Sequence, residues 1–176
     1  NYQIMDIANE PSLPKGKLLL VNNSASSFLS GSDNLGFDYI EVIKKIIFKD
    51  LNVFQKNILV LGAGGFSLSA QGEYNNHITY VDIDKDIKQV VEKNYLNNIN
   101  GKFIAEDARV FLKDTSNKYF VIISDVYNSQ NAIPMHLLTR EYFSLVAARL
   151  QKNGIAIFNI IAKPMATDSY SQNIDK

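Results

Sequence analysis

From residue 53 onward the chain alternates between short, nearly continuous apolar runs and longer stretches with apolar residues three and four positions apart. The runs "NILVLG", "ITYVD", "KFIAED", "YFVIISD" and "GIAIFNII" read as strands. Strands apolar at almost every position are buried on both faces, as in a parallel sheet. Between them, Ile87, Val90, Val91 and Tyr95 share one helical face, and Leu138, Tyr142, Val146 and Leu150 share another. "EDARVFL" opens a further helix. This alternation predicts an α/β fold, a doubly wound and mostly parallel sheet.

Residues 1–35 break the rhythm. Two short strands, "NYQIMDI" and "KLLLV", are joined by a turn-like "NEPSLPKG", and the serine-rich "NNSASSFLSGSDNLG" that follows reads as a loop. From Phe37 a helix is expected, with Tyr39, Val42, Ile43, Ile46 and Ile47 on its apolar face. The predicted organisation is a small N-terminal β extension over 1–35 and a Rossmann-like domain over 36–176. The chain opens on Asn1 rather than Met, and its ending "SYSQNIDK" follows a strand without a closing element, so a domain truncated at its C-terminus is expected.

Composition narrows the function classes. A chain of 176 residues, 46% hydrophobic and 20% charged, suits one soluble globular domain. Eighteen basic residues balance eighteen acidic ones, leaving no global field to recruit nucleic acid or an anionic membrane. The absence of cysteine removes disulfides, thiolate nucleophiles and cysteine metal sites together. No apolar run approaches the roughly eighteen residues that span a bilayer, and no signal peptide is visible, so a cytoplasmic location is expected. His77 and His136 stand in no metal-ligand spacing, so no metal is expected. His77 starts a strand, and His136, at a helix start after Pro134, reads as structural.

The candidate chemistry lies where strands end. The first strand runs into "LGAGGFS", with Gly62, Gly64 and Gly65 at the strand-to-helix turn, where glycine lets the backbone approach a ligand. The motif is not a P-loop, and the third glycine of a dinucleotide fingerprint is missing near Ser67. The second strand ends on Asp82, roughly twenty residues on, where a carboxylate accepts from both hydroxyls of a ribose. Asp84 reads as the N-cap of the next helix. Glu106 and Asp107 close the third strand, and a carboxylate there either accepts from an adenine amino group or caps "EDARVFL". Asp125 closes the fourth strand, and the polar stretch after it delays the next helix by about ten residues, which favours an active-site acid over a cap. Open α/β sheets bind ligands outside the carboxyl ends of their strands. Glycines and acids at four successive strand ends therefore point to an adenosine site, of the S-adenosylmethionine-dependent methyltransferase type rather than a dinucleotide site.

These residues also carry a resemblance. "F-x-Y-x-E" (Phe37, Tyr39, Glu41), the glycine turn, "YVDID", "EDAR", and "SD" followed by a loop and "HLLTREYF" are similar to the spermidine synthase family, the polyamine aminopropyltransferases, over nearly the whole chain. "IPMHLLTREYF" looks most like a divergent bacterial branch often fused to membrane segments. The resemblance implies a nucleoside-binding domain whose decarboxylated S-adenosylmethionine site is lined by Gln3, Gly62, Gly64, Gly65, Asp82, Asp107 and Ala108. It implies that Asp125 accepts a proton from an attacking amine while Tyr39 helps to place that amine, and it brings with it a possible homodimer. The chain departs from the family at three points. The acid of the family's G-G-G-D-G-G loop falls at Gly65, a second acid after the fourth strand falls at Asn128, and the polar residue after the motif tyrosine is Ile40. Two carboxylates expected to hold a dication are thus missing, which weighs against putrescine. The rival expectations are a methyltransferase using intact S-adenosylmethionine and a catalytically idle nucleoside-binding module.

Overall fold

A computed structural model describes residues 1–8, 14–72, 75–127 and 133–160. Five parallel strands form the main sheet: β4 (Asn57–Leu61), β5 (His77–Asp82), β6 (Lys102–Ala105), β7 (Tyr119–Ser124) and β8 (Leu150–Phe158). Their order is β6-β5-β4-β7-β8, so the chain winds outward from β4 in one direction and then returns to β7 on its other side. The switch point lies between β4 and β7, where Leu61 is in register with Ser124.

Period-two alternation divides each strand between two cores. Ile58, Val60, Tyr80 and Ile123 face one side, and Leu59, Leu61, Val81 and Ile122 the other. The first side is covered by α1 (Asp38–Lys44), α2 (Ile87–Asn94) and the N-terminal strands, through Ile43, Ile47, Val91 and Leu19. The second is covered by α3 (Ala108–Asp114) and α4 (Arg140–Arg149), through Phe111, Leu112, Tyr142 and Val146. No helix among the described residues is long and apolar enough to cross a membrane.

The N-terminal extension is a three-stranded antiparallel sheet in the order β1 (Tyr2–Ile7), β2 (Gly16–Val21), β3 (Ser24–Ser30). The serine-rich stretch expected as a loop therefore contains a strand, Ser24–Ser30. Asn22 and Asn23 both take positive φ, 50° and 65°, the geometry of a two-residue hairpin turn matched to strand twist. The register then shifts between Leu19, paired with Ser27, and Leu20, paired with Ala25, which leaves Ser26 as a bulge. That extra residue masks the alternation in the sequence and re-aims Ser27.

Three other expectations change. The buried face of α1 carries Ile43 and Lys44 and continues into Ile47 and Phe48, whereas Val42 is 55% exposed. The chain leaves α1 through a π-helical turn, Lys45–Asp50. The last helix is shorter than its apolar pattern, capped by the Thr139 hydroxyl and ended by Leu150 in extended conformation, so Leu138 and Leu150 flank it. Asp84 does not cap α2: Asp86 is the N-cap, and Asp84 Oδ1 instead accepts from the Asp86 amide at 3.1 Å.

Candidate active site

The carboxyl ends of β4, β5 and β7 and the start of α3 surround a cavity of about 420 Å³, roofed on one side by β3. At its floor is the glycine turn. Gly62 has φ 89°, and a Cβ there would lie 2.1 Å from the Asp125 carbonyl oxygen. The glycine is thus required twice, by its backbone conformation and by direct packing of the turn against the strand end that carries Asp125. Gly64, at φ 48°, lines the cavity too. Phe66 then takes a left-handed conformation unusual for a bulky residue, held by full burial of its ring edge-on against Tyr80 at 4.8 Å.

Gly65 is not a cavity-lining position. Its amide donates to Ser27 Oγ at 2.7 Å, and a Cβ on it would lie 2.5 Å from Tyr95 Cε1 and 2.7 Å from Ser27 Cβ. Tyr95 and the bulge-directed Ser27 fill the space a loop side chain would need.

Asp82 fastens the turn to β5. Its Oδ2 accepts from the Ala63 amide at 2.8 Å and its Oδ1 from the Asp84 amide at 2.9 Å. Burial raises this carboxyl above the usual range, and the backbone N–H groups oppose that rise. Asp107 caps α3, its Oδ1 accepting from the Arg109 and Val110 amides at 2.9 and 3.0 Å, and the residue also lines the cavity beside Ala108. His136 lies beside it on the cavity wall, with Nε2 3.5 Å from Asp107 Oδ2. It sits in a 3-10 turn, Met135–Leu137, rather than at a helix start.

Asp125 stands at the end of β7 with its amide on the Leu61 carbonyl. It caps no helix. Tyr39, from the second residue of α1, donates its hydroxyl to Asp125 Oδ2 at 3.0 Å, and Asn159, just beyond β8, donates its side-chain amide to Oδ1 at 2.8 Å. Burial raises the Asp125 carboxyl, and these two donors act against it. Burial and the neighbouring carboxylate together push the Tyr39 phenol far up, so it stays a donor. Below the pair lies a smaller cavity of about 20 Å³, walled by Ile40, Ile43, Val60, Leu68 and Ile123. Glu41, the last residue of the "F-x-Y-x-E" stretch, has a local role: its Oε1 accepts from the Gly36 amide and from buried Lys44, both at 2.8 Å.

The structure therefore gathers Tyr39, Gly62, Gly64, Asp82, Asp107, Ala108 and Asp125 around one cavity. It does not bring Gln3 there. Gln3 is exposed on β1, and its neighbour Tyr2 reaches inward instead, donating to Asp84 Oδ2 at 2.5 Å. Asn128 lies outside the described residues. Ser27, Asn159 and the cavity position of His136 were not foreseen. A lone asparagine after an apolar strand, or a serine in a polar run, carries no periodic or spacing signal. Among the described residues no cluster of three or more potential ligands could hold a metal ion.

Comparison with known proteins gives a consistent picture. The family model of the spermine/spermidine synthase domain matches residues 20–176. A polyamine aminopropyltransferase of Vibrio vulnificus (strain CMCP6) is 31% identical over 124 residues, covering 66% of this chain and 41% of that protein. The corresponding enzyme of Oceanobacillus iheyensis is 31% identical over 127 residues, 65% of this chain and 25% of that one. The chain thus spans less than half the length of these curated relatives. Among solved structures, a probable spermidine synthase from Corynebacterium glutamicum superposes with a TM-score of 0.73 at 19% identity, covering 89% of this chain and 59% of that one. Human methyltransferase-like protein 13, in complex with SAH, superposes at 0.60 with 18% identity, covering 72% and 66% respectively. At such identities the structural matches speak for the fold alone.

Proposed function

This chain belongs to the spermine/spermidine synthase family, and from that premise we propose that it is an aminopropyltransferase, moving an aminopropyl group from decarboxylated S-adenosylmethionine to an amine. The observation that carries this reading is Asp125, clamped between Tyr39 and Asn159 where the cavity meets the glycine turn. A free alkylamine has a pKa near about 10.4 and is mostly protonated at neutral pH, hence not nucleophilic. The Asp125 carboxylate attracts the cation and then takes its proton. The freed lone pair attacks the methylene carbon beside the sulfonium. The carbon–sulfur bond breaks, its electrons stay on sulfur, and methylthioadenosine leaves. The step needs alignment and a dry pocket of matched charge more than further covalent chemistry.

The nucleoside fits the opposite end. Asp82 accepts from the ribose hydroxyls and Asp107 Oδ2 from the adenine amino group, while Ile83, Pro134 and Leu137 offer apolar contact to the base. Charge favours the decarboxylated donor. Asp82, Asp84, Asp107 and Asp125 line the main cavity, and among the described residues no lysine or arginine lines it, so a donor carboxylate would meet like charge. Release of methylthioadenosine from decarboxylated S-adenosylmethionine, followed with a panel of monoamines and diamines, tests the proposal. Asp125→Asn is expected to slow it about a hundredfold or more. Methyl transfer from intact S-adenosylmethionine, with no aminopropyl transfer to any amine, would refute it.

A further inference from the structure

We propose that Asn159 is a positioning residue for the transfer step: it donates its side-chain N–H to Asp125 Oδ1 and leaves its amide oxygen to receive an N–H of the acceptor amine. The inference rests on the aminopropyltransferase reading and assigns a role to a residue at the end of the fifth sheet strand. Three hydrogen bonds stitch Asn159 to the segment carrying the base. Its amide donates to the Ser124 carbonyl at 3.0 Å, its carbonyl accepts from the Tyr127 hydroxyl at 2.7 Å, and its side chain donates to Asp125 Oδ1 at 2.8 Å. Residues 124, 125 and 127 are thus all held by one residue of the neighbouring chain segment. An ionised carboxylate only accepts, so the amide end turned toward Asp125 is the NH2 group. Among the described residues nothing donates to the amide oxygen at the other end, and Asn159 lines the main cavity.

The arrangement also assigns the two oxygens of Asp125. Oδ1 is engaged by Asn159 and Oδ2 by Tyr39, so the carboxylate cannot rotate without breaking both bonds. An amine approaching the remaining lone pairs meets three acceptors, the two carboxylate oxygens and the Asn159 amide oxygen, which fix the direction of its own lone pair. The titratable groups around Asp125 are Tyr39 from α1 and Tyr127 from its own segment. Across the cavity stand Asp82 and Asp84 beyond β5, Asp107 at α3 and His136 from the 3-10 turn. Among the described residues none places a lysine or arginine beside the carboxylate, and the neutral donors Asn159 and Tyr39 oppose the effect of its burial.

The test follows the Asp125 carboxyl by 13C NMR in protein labelled at aspartate, assigned with Asp125→Asn, alongside aminopropyl transfer against pH. In Asn159→Leu the Asp125 titration moves to higher pH. Transfer at neutral pH falls about ten- to a hundredfold, recovers as pH is raised, and the KM for the amine increases. In Asn159→Asp, which keeps the shape and remains informative should the leucine variant not fold, like charge moves the titration further in the same direction. An Asp125 resonance that titrates as in the wild type in both variants would overturn the assignment. A wild-type protein that turns over no amine, yet shows the NMR shifts, would remove the aminopropyltransferase reading and leave the Asn159–Asp125 pairing upheld.

Discussion

Replacing Gly65 by alanine separates a vacant loop position from one that the fold has filled. The φ of Gly65 does not lie in the left-handed region, so the backbone accepts an L-residue there. On chain entropy alone Gly65→Ala would stabilise by about 0.4–1 kcal/mol. The new Cβ, however, lies 2.5 Å from Tyr95 Cε1, 2.7 Å from Ser27 Cβ and 3.0 Å from Ser27 Oγ. Tyr95 is a buried ring packed in the same cluster as Val91 and Leu96. Ser27 is fixed from both sides, accepting from the Gly65 amide and donating to the Ser26 carbonyl, each at 2.7 Å. Overpacking of this kind costs about 1–3 kcal/mol, so after the entropic gain the net loss is up to about 2.6 kcal/mol, with a centre of about 1.3 kcal/mol. In a chain of this size the central value lowers Tm by about 3–5 °C. Thermal and urea unfolding of Gly65→Ala, Tyr95→Ala and the double variant form the assay, with a favourable coupling expected because the smaller residue at 95 makes the room. Gly65→Asp is expected to lose more, since it adds a buried carboxylate. A Gly65→Ala protein that melts at or above the wild type would refute the reasoning.

Other expected outcomes follow from single contacts. Asp82→Ala removes the clip between the glycine turn and β5 together with the proposed ribose acceptor, and is expected to weaken methylthioadenosine binding by about tenfold or more in calorimetry. Tyr142→Phe leaves the buried Ser124 hydroxyl without its 2.8 Å partner and should cost about 1–3 kcal/mol in denaturant unfolding. Tyr142 itself has a phenol pushed up to about 12 by burial and stays neutral under these conditions. The Asp125 carboxyl is raised in the folded state, so its contribution favours folding at acid pH and is lost as pH rises through its folded midpoint. Asp125→Asn is therefore expected to raise Tm at neutral pH, by an increment that shrinks on acidification. A lower Tm at neutral pH would contradict this.

Much of the main sheet is legible in the sequence because its strands are buried on both faces and its helices on one, which writes two distinct periods into the chain. The same alternation locates the strand ends, and with them the acids that gather at one cavity. What escapes the pattern has local causes. Ser26 is a bulge, so β3 loses its period of two, although the Asn22–Asn23 pair at its start is a turn signal in its own right. On α1 the buried face is turned by one position from the apolar pattern, so Ile43 and Lys44 are buried and Val42 stays outside. Asn159 and His136 reach the site only through tertiary placement, the one by the parallel pairing of β8 with β7 and the other by a 3-10 turn. Gln3 illustrates the converse: β1 turns Tyr2, rather than its neighbour, toward Asp84.

The most direct measurement is calorimetric titration of the protein with decarboxylated and with intact S-adenosylmethionine, each with and without an amine. A cavity lined by Asp82, Asp107 and Asp125, with no lysine or arginine lining it among the described residues, predicts that the decarboxylated donor binds about tenfold tighter or better, and that the amine strengthens it. Tighter binding of intact S-adenosylmethionine, unaffected by amines, would contradict aminopropyl transfer and turn the site toward methyl transfer.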